Sequence, residues 1–247
     1  MKHLILLLVL VFSATSQAST EFGKIHELEG NAYISDASEN HVALHVGEEI
    51  YVGQTINTEE GTELHITSTD GGLIALRPNT VFRVDEYIAE ESPEAKVHMS
   101  LIKGSLRSIT GWIPRHNPES YKVSVLTATI GVRGTDHEIS IIENGEEAGI
   151  HNAVYEGATV LRNGAGEVHV PAGRFAFAPH HGATTPVLLD RKPKFHARKL
   201  LYKIEHKFEQ RKIEFENRLK QMYEEWRQKM KLIRSDLKTL EKEISLE

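Results

Sequence analysis

The run Asp136-His137-Glu138 places two carboxylates around an imidazole, the side-chain types a metal site or a general acid-base pair would use. Successive residues of a strand point to opposite faces, so on a strand Asp136 and Glu138 share one side and His137 takes the other. A metal would then need further ligands from elsewhere in the chain, and no ligand spacing supplies them. His180-His181, in a chain with 14 histidines, invites the same question, but it lacks the two-His, i to i+4 spacing beside an acid that a helical zinc site uses. Glu59-Glu60, Glu90-Glu91 and Glu146-Glu147 sit beside turn residues and read as solvated loop edges. There is no cysteine, no Gly-x-Ser-x-Gly elbow and no phosphate-binding glycine loop. The sequence therefore offers no catalytic, cofactor-binding or metal assignment, and the chain reads as non-enzymatic. Trp112, in a loop-like Thr-Gly-Trp-Ile-Pro setting, is either a lid on the core or a contact for a protein partner.

The elements that must position these residues are short strands. From Gly23 to Pro179, alternating apolar residues are broken every 8 to 12 residues or so by Asp-Gly, Asn-Gly or Pro-Asn, the rhythm of an all-β sandwich, barrel or solenoid. Within it, Tyr121, Val123 and Val125 set one apolar phase. Ala128, Ile130 and Val132 take the other, and Ile139 and Ile141 return to the first. Each switch requires an extra residue or a bend. Gly131 and Gly134 are placed to supply two such bends, giving two strands joined by a kinked polar corner. Asp136 is expected to accept backbone N–H bonds there, and Arg133 to pair with a carboxylate.

Bulk features divide the chain further. Lys2 followed by the apolar run Leu4 to Phe12 and by Ser16-Gln17-Ala18 reads as a cleavable export signal over 1–18, so the mature chain is expected to be periplasmic or secreted. That run is too short for a membrane span, and no later segment qualifies. Residues 19–190 carry 11 Lys and Arg against 25 Asp and Glu, net minus 14, whereas residues 191–247 carry 17 against 10, net plus 7. An acidic body and a basic tail predict a contact between the two, within one molecule or between copies. Export and the interspersed acids of the tail argue against nucleic acid as a partner.

The tail is a different object from the body. After a Pro-containing linker at 180–194, residues 195–247 follow helical spacing, with a seam at Phe215, Leu219, Met222, Trp226, Met230, Ile233, Leu237, Leu240 and Ile244. A helix of about fifty residues would extend about 75 Å, longer than the body can cover. Its seam is expected to self-associate or to dock on another envelope protein.

The segment "TATIGVRGTDHEI", preceded by "RHNPESYKV", resembles the signature of the FecR domain family, in which a stretch like "TPTATIGVRGTDF" follows a Tyr-Lys or Tyr-Arg strand. Upstream, "GQTINTEEGTELHITSTDGGLIALRPNTVFRV" is similar to the family's Thr pair, strand, Asp-Gly turn and Asn-containing turn. Downstream, "YEGATVLRNGAGEVHVPAGRFAFA" is similar to its closing strands. The resemblance covers roughly Glu48 to Pro179. It implies a compact multi-strand β domain over 19–179, with Thr129, Gly131, Arg133, Gly134, Thr135, Asp136 and His137 forming the signature corner. It also implies a binding, scaffolding or signalling role. FecR-like regulators of iron uptake join a cytoplasmic sigma-regulating segment to such a domain through one span. This chain, reading with a cleavable signal instead, is expected to fall in the exported class. Two other functions stay open: a metal-dependent or cell-wall glycan-acting protein centred on Asp136-His137-Glu138, and an accessory sensor in iron-uptake or envelope signalling.

Overall fold

The computed structural model describes residues 20–35, 41–89, 92, 94–113, 120–181, 183–191 and, within 209–235, all but 211, 215, 219, 222, 223 and 226. The expected export signal at 1–18 lies outside the described residues. The body is mainly β, as its turn rhythm predicts. In chain order the strands are β1 (Glu21–Glu29), β2 (Ala32–Ser35), β3 (His41–Ala43), β4 (Glu49–Tyr51), β5 (Thr55–Thr58), β6 (Glu63–Ser68), β7 (Leu73–Leu76) and β8 (Val81–Ile88). They continue with β9 (Lys96–Lys103), β10 (Ser105–Ile109), β11 (Tyr121–Val125), β12 (Ala128–Ile142), β13 (Gly149–Asn163), β14 (Gly166–Pro171), β15 (Phe175–Ala178) and β16 (Val187–Leu189).

All sixteen belong to one hydrogen-bonded sheet, ordered β3-β2-β5-β8-β9-β11-β12-β10-β7-β6-β1-β4, with β13 to β16 attached through β12. Among these pairs β9 and β11 alone run parallel. The sheet curls until its two halves face each other: Phe22 of β1 meets Tyr87 of β8 edge to face at 4.9 Å, although seven places separate the two strands in the sheet order. Alternation then does the rest. Ile56, Phe82, Met99 and Val123 from one half, and Leu64, Leu76, Leu106 and Ile139 from the other, bury their side chains in one common core.

The signature stretch is one strand, not two. β11 and β12 are joined by the two-residue turn Leu126–Thr127, where the first change of apolar phase occurs. Gly131 sits in register between Lys122 and Val160 and bends nothing. The second phase change falls at Gly134, whose φ is 56°. There Arg133 pairs with Ala158 and Asp136 with Glu156, leaving Gly134 and Thr135 opposite Gly157 alone, the geometry of a glycine bulge. A Cβ on Gly157 would stand 2.2 Å from the Gly134 carbonyl oxygen, so β12 and β13 approach here as only glycine allows. Before the bulge β12 pairs with β11, and after it with β10, while β13 follows its other edge throughout. The bend thus carries one strand from one half of the curled sheet to the other.

One feature differs from the sequence reading. Residues 187–189, expected in an extended linker, form β16 against β15, so the sheet reaches past residue 179. The tail was expected as one long helix from 195; every described residue within 209–235 is helical, and 195–208 and 236–247 lie outside the described residues.

Candidate functional site

Along β12 the alternation separates the three signature side chains. His137 points into the core, lying across from Ser108 of β10 and Val154 of β13. It is 0% exposed, and neither ring nitrogen has a hydrogen-bond partner. Burial pushes its pKa down to about 4, against a smaller upward pull from the Asp136 charge. A neutral imidazole sealed in this way is unavailable to a ligand. Asp136 and Glu138 point to the outer face of the sheet, as the strand period requires.

On that outer face the two carboxylates enter a stripe of charge that crosses five adjacent strands, β6, β7, β10, β12 and β13. Arg107 of β10 makes a two-pronged contact with Asp136, Nε to Oδ1 at 2.9 Å and Nη2 to Oδ2 at 2.8 Å, and its guanidinium lies 4.7 Å from the Tyr155 ring centroid. The Tyr155 hydroxyl donates to Glu138 at 2.7 Å. Arg77, beyond β7, approaches Glu138 at 3.7 Å and Glu63 of β6 at 3.1 Å, and Glu63 in turn meets His65 at 2.7 Å. Cross-strand register explains the row, because Ala75, Arg107, Glu138 and Ala153 are direct neighbours on adjacent strands and share a face.

The tail closes over this stripe. Glu209 accepts from Arg107 Nη2 at 2.7 Å, and Lys212 donates to Asp136 at 2.8 Å and to Glu156 at 2.7 Å. Burial alone would push the Asp136 carboxyl up, but Arg107 and then Lys212 outweigh it and hold it below the ordinary carboxylate value. Burial likewise opposes the Lys212 ammonium, yet its bonds to Asp136 and Glu156 raise it. The expected contact between acidic body and basic tail is therefore present, within one molecule, at the signature strand.

Within the body, all the residues just named lie in the stretch that matches a known family: residues 54–159 match the family described as FecR protein. The chain carries a FecR domain. No curated protein matches the chain. Two crystal structures of a candidate anti-sigma factor from Parabacteroides distasonis are similar in structure. The first is 14% identical with a TM-score of 0.46 and the second 16% identical with a TM-score of 0.43; in each case 56% of this chain and 60% of that chain are covered. The chain thus spans less than two thirds of those proteins' length.

In the FecR domain the remaining signature residues do structural work. Thr135 and Thr110 bond each other across the bulge, Thr135 N–H to Thr110 Oγ1 at 2.9 Å and Thr110 N–H to the Thr135 carbonyl at 3.0 Å. Thr129 is half-buried in register with Ser124 and Arg162, and Arg133 is exposed. Arg133 was expected to pair with a carboxylate, but the arginine that pairs at this corner is Arg107, and Asp136 accepts from the side chains of Arg107 and Lys212 rather than from backbone N–H groups. Trp112 is half-buried against the core and donates its backbone N–H to Asp70 at 3.2 Å. His180 bonds the Ile142 carbonyl at 2.7 Å, and Glu147 lies 3.5 Å from Arg191.

Of the seam, Met230 is half-buried and Ile233 is 50% exposed; Phe215, Leu219, Met222, Trp226, Leu237, Leu240 and Ile244 lie outside the described residues. Among the described residues no three potential metal ligands cluster. An open groove of about 550 Å³, lined by Tyr33, His41, Leu44 and Glu59 among others, lies at the far end of the strand order from β12.

Sequence reasoning missed Arg107, Tyr155, Glu209 and Lys212 as members of the site. The usable signal was Arg107 itself: in "SLRSI" it occupies the mid-strand position of an otherwise apolar and small run, where an unpaired charge is costly.

Proposed function

We propose that this protein is an exported, non-enzymatic FecR-domain module that works by binding protein, as a periplasmic scaffold or signalling component. Its C-terminal segment serves for docking or self-association. One observation carries the reading: charged side chains on the signature strand and its two neighbours, Arg107 of β10, Asp136 of β12 and Glu156 of β13, engage a peptide segment. They do not converge on an open cleft. The metal or glycan alternative has the opposite geometry in its way, since His137 faces the core while Asp136 and Glu138 face outward into ion pairs. Leu232 and Ile233 of the tail are 65% and 50% exposed, which favours a further protein contact for that segment.

The test is a photo-crosslinking residue at the exposed position Arg133 in intact cells, with protease accessibility after removal of the outer envelope. A discrete protein adduct on an exported chain, abolished by Glu156→Lys, is the expected result. Stoichiometric metal in protein purified without an affinity tag, or turnover of cell-wall glycan, would overturn the reading.

A further inference from the structure

The Arg107-Asp136 pair is complete without the tail. Its two-pronged geometry matches both charges, so withdrawal of Glu209 and Lys212 strands neither group in the sheet. What the tail adds is complementary chemistry at one helical turn's spacing. An acid accepts from Arg107 Nη2, and a lysine three residues later bonds both Asp136 and Glu156. The burial is graded. Asp136 and Arg107 have side chains 1% and 5% exposed, Lys212 12%, Glu209 45% and Glu156 63%, so the contact is sealed at Asp136, Arg107 and Lys212 and open to solvent at its Glu209 and Glu156 rim. The body half lies within residues 54–159, and the tail half lies outside them.

We propose that the outer face of β10, β12 and β13 is a receptor for a helical turn bearing an acid three residues before a lysine. The chain's own Glu209 to Lys212 turn fills it in cis, and a partner helix of the same chemistry takes its place. The proposal rests on the reading of this chain as a binding module; its test reads peptide binding to the purified chain, whereas that reading is tested by a protein adduct in cells, so the two fail separately. A tethered turn competes at an effective concentration on the order of 1 mM. An external helix therefore meets a receptor that is mostly occupied, and its apparent affinity falls in proportion to the free fraction. Charge pairs at the rim of such a contact are also weakened by salt.

The probe is a fluorescein-labelled peptide of residues 203–220, titrated by fluorescence anisotropy into the full chain. Wild type should bind it weakly, and the double variant E209A/K212A, whose receptor face is untouched, about ten-fold more tightly. Adding E156Q to that variant should weaken binding again, as should added salt. A peptide with the charges exchanged, E209K/K212E, should not bind. Equal affinity of wild type and E209A/K212A, or equal binding of the charge-exchanged peptide, would overturn the proposal. Light scattering on the same samples identifies the source of the turn: a wild-type dimer that dissociates in E209A/K212A would assign it to a second copy and overturn the cis latch.

Discussion

Replacing His137 by Phe tests the electrostatics of the core directly. In the folded chain the imidazole is sealed between Ser108 and Val154, its pKa driven by burial to about 4, whereas in the unfolded chain it titrates near its ordinary value of about 6.5. The sign follows from linkage. The unfolded state binds the proton first, so this residue destabilises the fold progressively as pH drops from 6.5 and contributes no further loss below about 4. The interval of about 2.5 pH units is worth about 3 kcal/mol, with a slope approaching 1.4 kcal/mol per unit. At pH 7 two effects oppose each other. Phe removes two buried nitrogens without partners, a gain of about 1 to 3 kcal/mol, but fills more volume, a loss of similar size. The pH dependence is therefore the informative quantity. Urea unfolding of wild type and H137F at pH 7, 6, 5 and 4 should show the variant gaining about 3 kcal/mol relative to wild type across the series. His151, whose pKa burial also lowers, titrates in both proteins and cancels. Parallel curves for the two proteins would refute the assignment of His137 as a sealed, unpartnered imidazole.

The bulge makes a second prediction: Gly157→Ala should destabilise far more than Gly53→Ala, both by calorimetry. Gly53 has φ of +88° but nothing within 4 Å of an added Cβ, so only the backbone cost of about 1 kcal/mol applies, whereas at Gly157 the Cβ collides with the Gly134 carbonyl. Gly134→Val, forcing a β-branched residue to a φ of 56°, should likewise unfold the body, and an unchanged melting temperature would remove the bulge from the account. Leu126, 50% exposed with φ of 51°, holds a left-handed turn position that Asn or Gly suits better, so Leu126→Asn should stabilise the fold by up to about 1 kcal/mol in denaturant titrations. The tail contact has its own pH window. Because the Asp136 pKa is depressed, its share is lost as pH falls through the carboxylate range; because the Lys212 pKa is raised, its share is lost as pH rises past that of an ordinary lysine. Protection of the amides of residues 209–235, taken relative to their intrinsic exchange rate at each pH, should be greatest between those limits.

The strand rhythm of the body was legible because turn residues act locally: Asn163-Gly164, Asn144-Gly145 and Asp70-Gly71 each punctuate the chain where a strand ends. Facing was legible too, since a period of two alone separates His137 from Asp136 and Glu138. Partner choice was not. Arg107 finds Asp136 29 residues away and Glu209 102 residues away, and no local pattern encodes which carboxylate a mid-strand arginine will meet. The glycine bends were half right, because a glycine permits a bulge without requiring one: Gly134 faces Gly157 and bends, while Gly131 stays in register. β16 was hidden by its neighbours, Thr184, Thr185 and Pro186, which read as linker although Val187 to Leu189 make a three-residue edge strand.

The tail lies on the signature face of its own FecR domain. Carbodiimide joins a lysine and a carboxylate only when they touch, and Lys212 Nζ lies 2.7 Å from the exposed carboxylate of Glu156. Crosslinking the full chain as a mixture of light and heavy isotopic forms, followed by peptide mass spectrometry, reads both the partner and the molecule it belongs to. A Lys212–Glu156 amide of unmixed isotope is predicted. A link of mixed isotope, or Lys212 joined to carboxylates elsewhere and never to Glu156, would contradict the account.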